Sequence, residues 1–143
     1  MKIFIADDDA LQRLTLRIAL NQEKDMRVIG EDSDGLGILK KVRACIPDVA
    51  LIDVDMPGLS GMDAIRTIRS ALPQVKLLML SNYSDDNLVQ EALTTGADGY
   101  ILKAVEHLEL ISILRAVYHG QRILSSFLLT IEPDVEMLKH AVG

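Results

Sequence analysis

Apolar residues in this chain gather in short blocks, and four of the blocks stop at a chemically active residue. Ile3-Phe4-Ile5-Ala6 runs into Asp7-Asp8-Asp9, Val49-Ala50-Leu51-Ile52 into Asp53, Leu77-Leu78-Met79-Leu80 into Ser81, and Tyr100-Ile101-Leu102 into Lys103. Blocks without polar alternation predict strands covered on both faces, as in a parallel sheet. The strands are placed at 2–6, 26–30, 48–53, 75–80 and 99–102. Helical spacing fills the gaps. A helix over 10–22 has Leu11, Leu14, Ile18 and Leu20 as its stripe, and a second presents Leu36, Leu39, Val42 and Ile46 before Pro47 stops it. Three more are expected over 62–71, over 85–95 with Ser84 as N-cap and Gly96 as stop, and over 106–119.

Five strand–helix repeats require parallel pairing with right-handed crossovers, which gives an α/β, doubly wound (βα)5 three-layer sandwich. One domain is expected over 1–126, with an extended stretch near 123–126. A helical linker or tail follows over 127–143, broken or started at Pro133. At 143 residues the chain is large enough for a full core and too small for two.

Composition narrows the function classes. The formal net charge is −6, so no basic patch supports nucleic-acid binding by this chain itself. No apolar run reaches membrane-spanning length and the N-terminus has no signal-peptide pattern, so a cytoplasmic protein is expected. The single cysteine, Cys45, excludes an internal disulfide and a zinc site built on paired cysteines, and reads as a small core residue. His107, His119 and His140 lack metal-ligand spacing and are expected on the surface. Met56, Met62 and Met79 read as packing.

Strand ends of a parallel sheet share one edge, so Asp7, Asp8, Asp53, Ser81 and Lys103 are expected in one pocket. Three carboxylates there repel one another unless a cation neutralises them, and Mg²⁺ suits an all-oxygen site that also takes phosphate oxygens. Lys103 would pair with the acids, and Ser81 would donate to a phosphoryl oxygen. Asp53 would be the nucleophile of phosphoryl transfer to a carboxylate. Tyr100 reads either as a buried aromatic or as a movable ring.

Taken together, Asp7-Asp8, Asp53 within Leu51-Ile52-Asp53-Val54-Asp55-Met56-Pro57-Gly58, Ser81, Tyr100 and Lys103 resemble the receiver domain of bacterial two-component response regulators. The segments 96–103 and 115–120 resemble its NarL/FixJ (LuxR-type) branch in particular. The resemblance covers about 1–126 and implies a flavodoxin-like parallel sheet of order 2-1-3-4-5. It further implies that Asp53 accepts a phosphoryl group from a sensor histidine kinase or phosphotransfer protein. Asp8 would be the main metal carboxylate, Asp7 would hold a metal-bound water and Asp55 would offer its backbone carbonyl to Mg²⁺, with Mn²⁺ as a substitute. Ser81 and Lys103 would contact the phosphoryl group, Ser81 and Tyr100 would form the switch, and Asn82 and Tyr83 would modulate access. Such a protein is a signalling switch that catalyses only its own phosphotransfer and dephosphorylation. The surface of the fourth helix, fifth strand and fifth helix, or that around the first and fifth helices, would dock a partner or a second copy, with homodimerisation on phosphorylation. Its output would be transcription, through a DNA-binding domain outside these residues.

Asn82 replaces a usually small residue and narrows access to the phosphoryl group. Ala104 replaces a common proline, which makes a cis peptide there improbable. Two other readings stand beside the receiver. Asp53-Val54-Asp55 also resembles the haloacid-dehalogenase phosphatases, although their remaining metal acids follow the lysine and here they precede the nucleophile. A receiver-like docking module that no longer phosphorylates is the other.

Overall fold

The computed structural model describes residues 1–83, 85–124 and 129–131. Strands and helices alternate as β1 (Lys2–Ala6), α1 (Ala10–Asn21), β2 (Arg27–Asp32), α2 (Ile38–Cys45), β3 (Val49–Asp53) and α3 (Gly61–Ala71). They continue as β4 (Lys76–Ser81), α4 (Asp86–Thr95), β5 (Gly99–Leu102), α5 (His107–Tyr118), β6 (Arg122–Leu124) and β7 (Leu129–Ile131). The sheet order is β2-β1-β3-β4-β5-β6-β7, so the expected order 2-1-3-4-5 holds and continues for two short strands. β1 through β6 pair in parallel, and β7 closes the edge antiparallel to β6.

Alternation along each strand builds two cores, one per face of the sheet. Phe4, Ala6, Ala50, Ile52, Leu77, Met79 and Tyr100 point to the side covered by α2, α3 and α4. Ile3, Ile5, Val49, Leu51, Leu78, Leu80 and Ile101 point to the side of α1 and α5. Each of the larger of these side chains contributes about 2 kcal/mol by leaving water. Met56, Met62 and Met79 are buried among them, and Cys45 is half-buried with its Sγ 3.8 Å from the Ile29 carbonyl.

Several local expectations need correction. In α1 the core takes Leu16 and Leu20, whereas Leu11, Leu14 and Ile18 face solvent at 70%, 40% and 53% exposure. The helix carries two apolar stripes, and spacing alone cannot say which meets the sheet. In α2, Ile38 and Val42 are buried, while Leu36 and Ile46 are exposed because they lie just outside its two ends. The N-cap of α4 is Asp85, whose carboxylate accepts from the Asn87 N–H, while Ser84 lies outside the described residues. The helix expected over 127–142 is overturned at Leu129–Ile131, where the backbone pairs with β6. An open sheet edge offers hydrogen bonds that an isolated short helix cannot match, and Thr130 and Ile131 are β-branched. The remainder of that segment, with His140, lies outside the described residues.

Candidate functional site

The strand ends converge as the topology requires. Asp7 and Asp53 are almost fully buried, Asp8 is exposed beside them, and one carboxylate oxygen from each of the three lies within 4.8 Å of the others. Local hydrogen bonds hold this crowd of charge. The Asp9 N–H donates to Asp7 Oδ1 at 2.9 Å, and the Asp55 N–H donates to Asp53 Oδ1 at 3.2 Å. Asp9 also caps α1, accepting from the Leu11 and Gln12 N–H groups, so the helix starts immediately beside the acids.

Lys103 reaches in from the end of β5, its side chain only 15% exposed. Its Nζ stands 3.0 Å from Asp53 Oδ2 and 3.2 Å from Asp7 Oδ2. The Asp7 contact lacks hydrogen-bond alignment, so Asp7 Oδ2 is a buried oxygen with an attractive charge nearby and no donor of its own. That oxygen, together with the net negative charge of three carboxylates against one ammonium, fits a small divalent cation with oxygen ligands.

Burial pushes the Asp53 carboxyl up, Lys103 opposes this and the Asp7 charge adds to it, giving about 6. Burial alone would lower Lys103, but the adjoining Asp53 and Asp7 outweigh it and raise the ammonium above its ordinary value. Lys103 is therefore held as the ammonium by the two acids, while Asp53 is left easier to protonate than an ordinary carboxylate, with Lys103 limiting the rise.

Ser81 is buried at the end of β4, and its Oγ accepts the Tyr83 N–H at 2.9 Å, which leaves the hydroxyl proton free to donate elsewhere. The Tyr83 carbonyl accepts the Tyr100 hydroxyl at 2.7 Å. Tyr83 is thus pinned through its backbone to both residues named as a switch, while its ring is 51% exposed. Tyr100 is fully buried, and burial raises its phenol above the ordinary value. Asn82 and Tyr83 stand exposed at the rim, as does Asp55. His107 and His119 are exposed and take no part.

Sequence reasoning missed three supporting groups. The Arg13 guanidinium donates to the Asp7 carbonyl and lies 3.6 Å from Glu31, bracing the acid loop from α1. Gly61 brings α3 against the end of β3: a Cβ there would lie 2.2 Å from the Asp53 carbonyl oxygen. Asp32 is buried at the end of β2 with Lys41 at 3.2 Å. The strand expected over 26–30 runs on to Asp32, and only that extension puts this acid at a strand end like Asp7 and Asp53.

A fold of this order, with acids, hydroxyl and lysine on one sheet edge, defines a class of phosphoacceptor domain, and comparison with known families gives the same class. Residues 3–115 match the model of the response regulator receiver domain, and the chain belongs to that family. It is 39% identical over 123 residues to the transcriptional regulatory protein YxjL of Bacillus subtilis, covering 86% of this chain and 56% of that protein. It is also 39% identical over 122 residues to the oxygen regulatory protein NreC of Staphylococcus aureus, covering 85% and 56%. The signal receiver domain of the response regulator NarL from Mycobacterium tuberculosis superposes with a TM-score of 0.80 at 31% identity, over 83% of this chain and 96% of that one. The chain spans about half the length of the curated relatives it matches. Receiver domains of this family are signalling switches. No helix among the described residues is long and apolar enough to cross a membrane.

Proposed function

We propose that Asp53 is the phosphoacceptor of this receiver, and that a sensor histidine kinase or a phosphotransfer protein supplies the phosphoryl group. The observation that carries the reading is Lys103 Nζ, lodged between Asp53 Oδ2 and Asp7 Oδ2 in an otherwise acidic pocket. An Asp53 oxygen attacks phosphorus in line with the donor's P–N bond. That bond breaks, a P–O bond forms, and the electron pair leaves with the imidazole nitrogen. Lys103 swings from carboxylate to phosphoryl oxygen, and Ser81 turns its free hydroxyl proton to another. Asp7, Asp8 and Asp53, with the Asp55 carbonyl, would hold Mg²⁺, or Mn²⁺ in its place, which supplies charge neutralisation for the transferring group.

Displacement of Ser81 toward the phosphoryl group pulls on the Tyr83 N–H, and Tyr83 in turn carries the hydrogen bond of Tyr100. This is how a local charge event would reach the surface of α4, β5 and α5. Asn82 and Tyr83 at the rim would slow attack by water on the aspartyl phosphate. The same cytoplasmic switch would control transcription through an output domain beyond these residues, as the name of the Bacillus relative suggests.

Intact-mass measurement with Mg²⁺ and acetyl phosphate, alongside assay of released phosphate, tests the reading. One phosphoryl adduct is expected on the wild type, abolished by Asp53→Asn and by chelator. Rapid multiple-turnover phosphate release would instead establish a phosphatase, and no adduct at all a docking module.

A further inference from the structure

Of the three clustered acids, Asp8 alone is placed by nothing that its own side chain touches. Asp7 Oδ1 accepts the Asp9 N–H, Asp53 Oδ1 accepts the Asp55 N–H, and the second oxygen of each faces Lys103. The exposed Asp8 carboxylate has neither a hydrogen bond nor an ion pair among the described residues, yet one of its oxygens lies within 4.8 Å of the other two acids. Its position is set by the backbone: by the peptide group that joins it to Asp7, and by the turn in which Asp9 caps α1.

That peptide group is held from α1. Arg13 Nη1 donates to the Asp7 carbonyl, which is the oxygen of the Asp7–Asp8 peptide, while Arg13 Nε lies 3.6 Å from Glu31 Oε1. Arg17 Nη1 grips the other Glu31 oxygen at 2.6 Å. Glu31 pairs with Ile5 in the register of β2 against β1, and the Asp7 N–H donates to the Asp32 carbonyl at 3.0 Å. Both polar groups of the Asp7 backbone are thus fastened to the end of β2, one directly and one through Arg13. The arrangement runs against electrostatics on two counts. Arg13 lies in the first turn of α1, where the helix dipole disfavours a cation, and it sets a positive charge beside a site that fits a divalent cation. A side chain with only charge to contribute would turn to water, whereas Arg13 is 19% exposed and divided between two acceptors.

We propose that Arg13 is a positioning residue for the metal site: by holding the Asp7–Asp8 peptide against its Glu31 anchor, it aims the Asp8 carboxylate at the oxygens of Asp7 and Asp53. The assignment rests on the Mg²⁺ site of the phosphoacceptor reading. Arg13 makes no ion pair with the three acids and acts on them through backbone alone. Charge and position therefore predict opposite signs. Removing a positive charge beside the site, by itself, tightens the binding of a divalent cation, whereas releasing the peptide that carries Asp8 weakens it.

The test is Mn²⁺ titrated into the full chain without a phosphodonor, with free ion read by electron paramagnetic resonance, beside the Mg²⁺ dependence of adduct formation from acetyl phosphate. Arg13→Met, which keeps the apolar stem and loses the donors, should bind Mn²⁺ roughly tenfold or more weakly. It should need correspondingly more Mg²⁺ to form the adduct, with a rate at saturating Mg²⁺ close to that of the wild type. Arg13→Lys keeps the charge but cannot span the Asp7 carbonyl and Glu31 together, so it should also bind more weakly than the wild type, and it decides the case if Arg13→Met does not fold. Arg115→Met breaks the ion pairs to Glu23 and Asp25 at the opposite edge of the sheet. It should melt lower and still bind Mn²⁺ like the wild type, which separates lost stability from lost position. An Arg13→Met that binds Mn²⁺ as tightly as the wild type, or more tightly, overturns the positioning role and leaves the phosphoacceptor reading standing, as does an Arg13→Lys equal to the wild type. A wild type that takes up no Mn²⁺ and forms no adduct overturns both.

Discussion

With its carboxyl raised to about 6 by burial and by the Asp7 charge, Asp53 holds a proton more tightly in the folded chain than in the unfolded one, where it titrates near 3.8. Between those values the folded state binds more protons, so the Asp53 contribution lowers stability as pH rises from 4 to 6. At neutral pH the ionised group costs up to about 3 kcal/mol in chelator-treated protein. Asp53→Asn should therefore raise the melting temperature of that protein by several degrees at pH 7.5 and flatten its dependence between pH 4 and 6, as read by circular dichroism. Tyr100→Phe keeps the buried ring and loses the hydroxyl bond to the Tyr83 carbonyl. It should cost about 1 kcal/mol in urea denaturation and leave the phosphoryl adduct on Asp53 intact. The two acids and the lysine were legible in the sequence because each ends an apolar block. Asp7 Oδ2 as an orphaned oxygen was not, since it depends on the angle at which Lys103 arrives.

Elements position the site through contacts that no periodicity records. Gly61 lets the first turn of α3 sit against the Asp53 carbonyl, and its N–H bonds the Val54 carbonyl at 2.9 Å. Gly61→Ala would drive a methyl into backbone, so we expect a loss of about 2–4 kcal/mol and slower adduct formation with acetyl phosphate. At the other end of the sheet, Arg69 of α3 donates to the carbonyls of Gly96, Pro73 and Val75 and to the Asp98 carboxylate, tying α3, β4 and the α4–β5 turn together. Arg69→Ala would strip these partners and leave Asp98 short of its cation. A loss of about 3 kcal/mol, measured by urea denaturation, is expected without loss of the phosphoryl adduct. The contrast between Gly61 and Arg69 separates the edge that gathers the acids from the edge that holds the sheet. Helix existence was readable from spacing, but helix orientation was not: α1 offers two stripes, of which Leu16 and Leu20 enter the core while Arg13 and Arg17 reach Glu31 from the flank.

For the whole molecule, divalent metal should act as a ligand of the folded state alone. Millimolar Mg²⁺ should raise the wild-type melting temperature through binding linkage, and Asp53→Asn should lose most of that gain. A scan with Mg²⁺ and with chelator checks this. The layered α/β architecture followed from block lengths and alternation, which specify both faces of every central strand at once. The extended stretch expected near 123–126 overlaps β6, but its pairing and all of β7 escaped because segments of three residues carry too little pattern, and their pairing is decided by the open edge they meet.

The sheet order has a consequence for how the protein is made. β1, the first strand synthesised, ends between β2 and β3, while Lys103 arrives only with β5, after four crossovers. A nascent or clipped chain that stops before β5 holds Asp7 and Asp53 without the ammonium that steadies them. On the proposed reading, competence to receive a phosphoryl group would be a property of the completed domain, and a partial product of translation or proteolysis would draw no signal away from intact molecules.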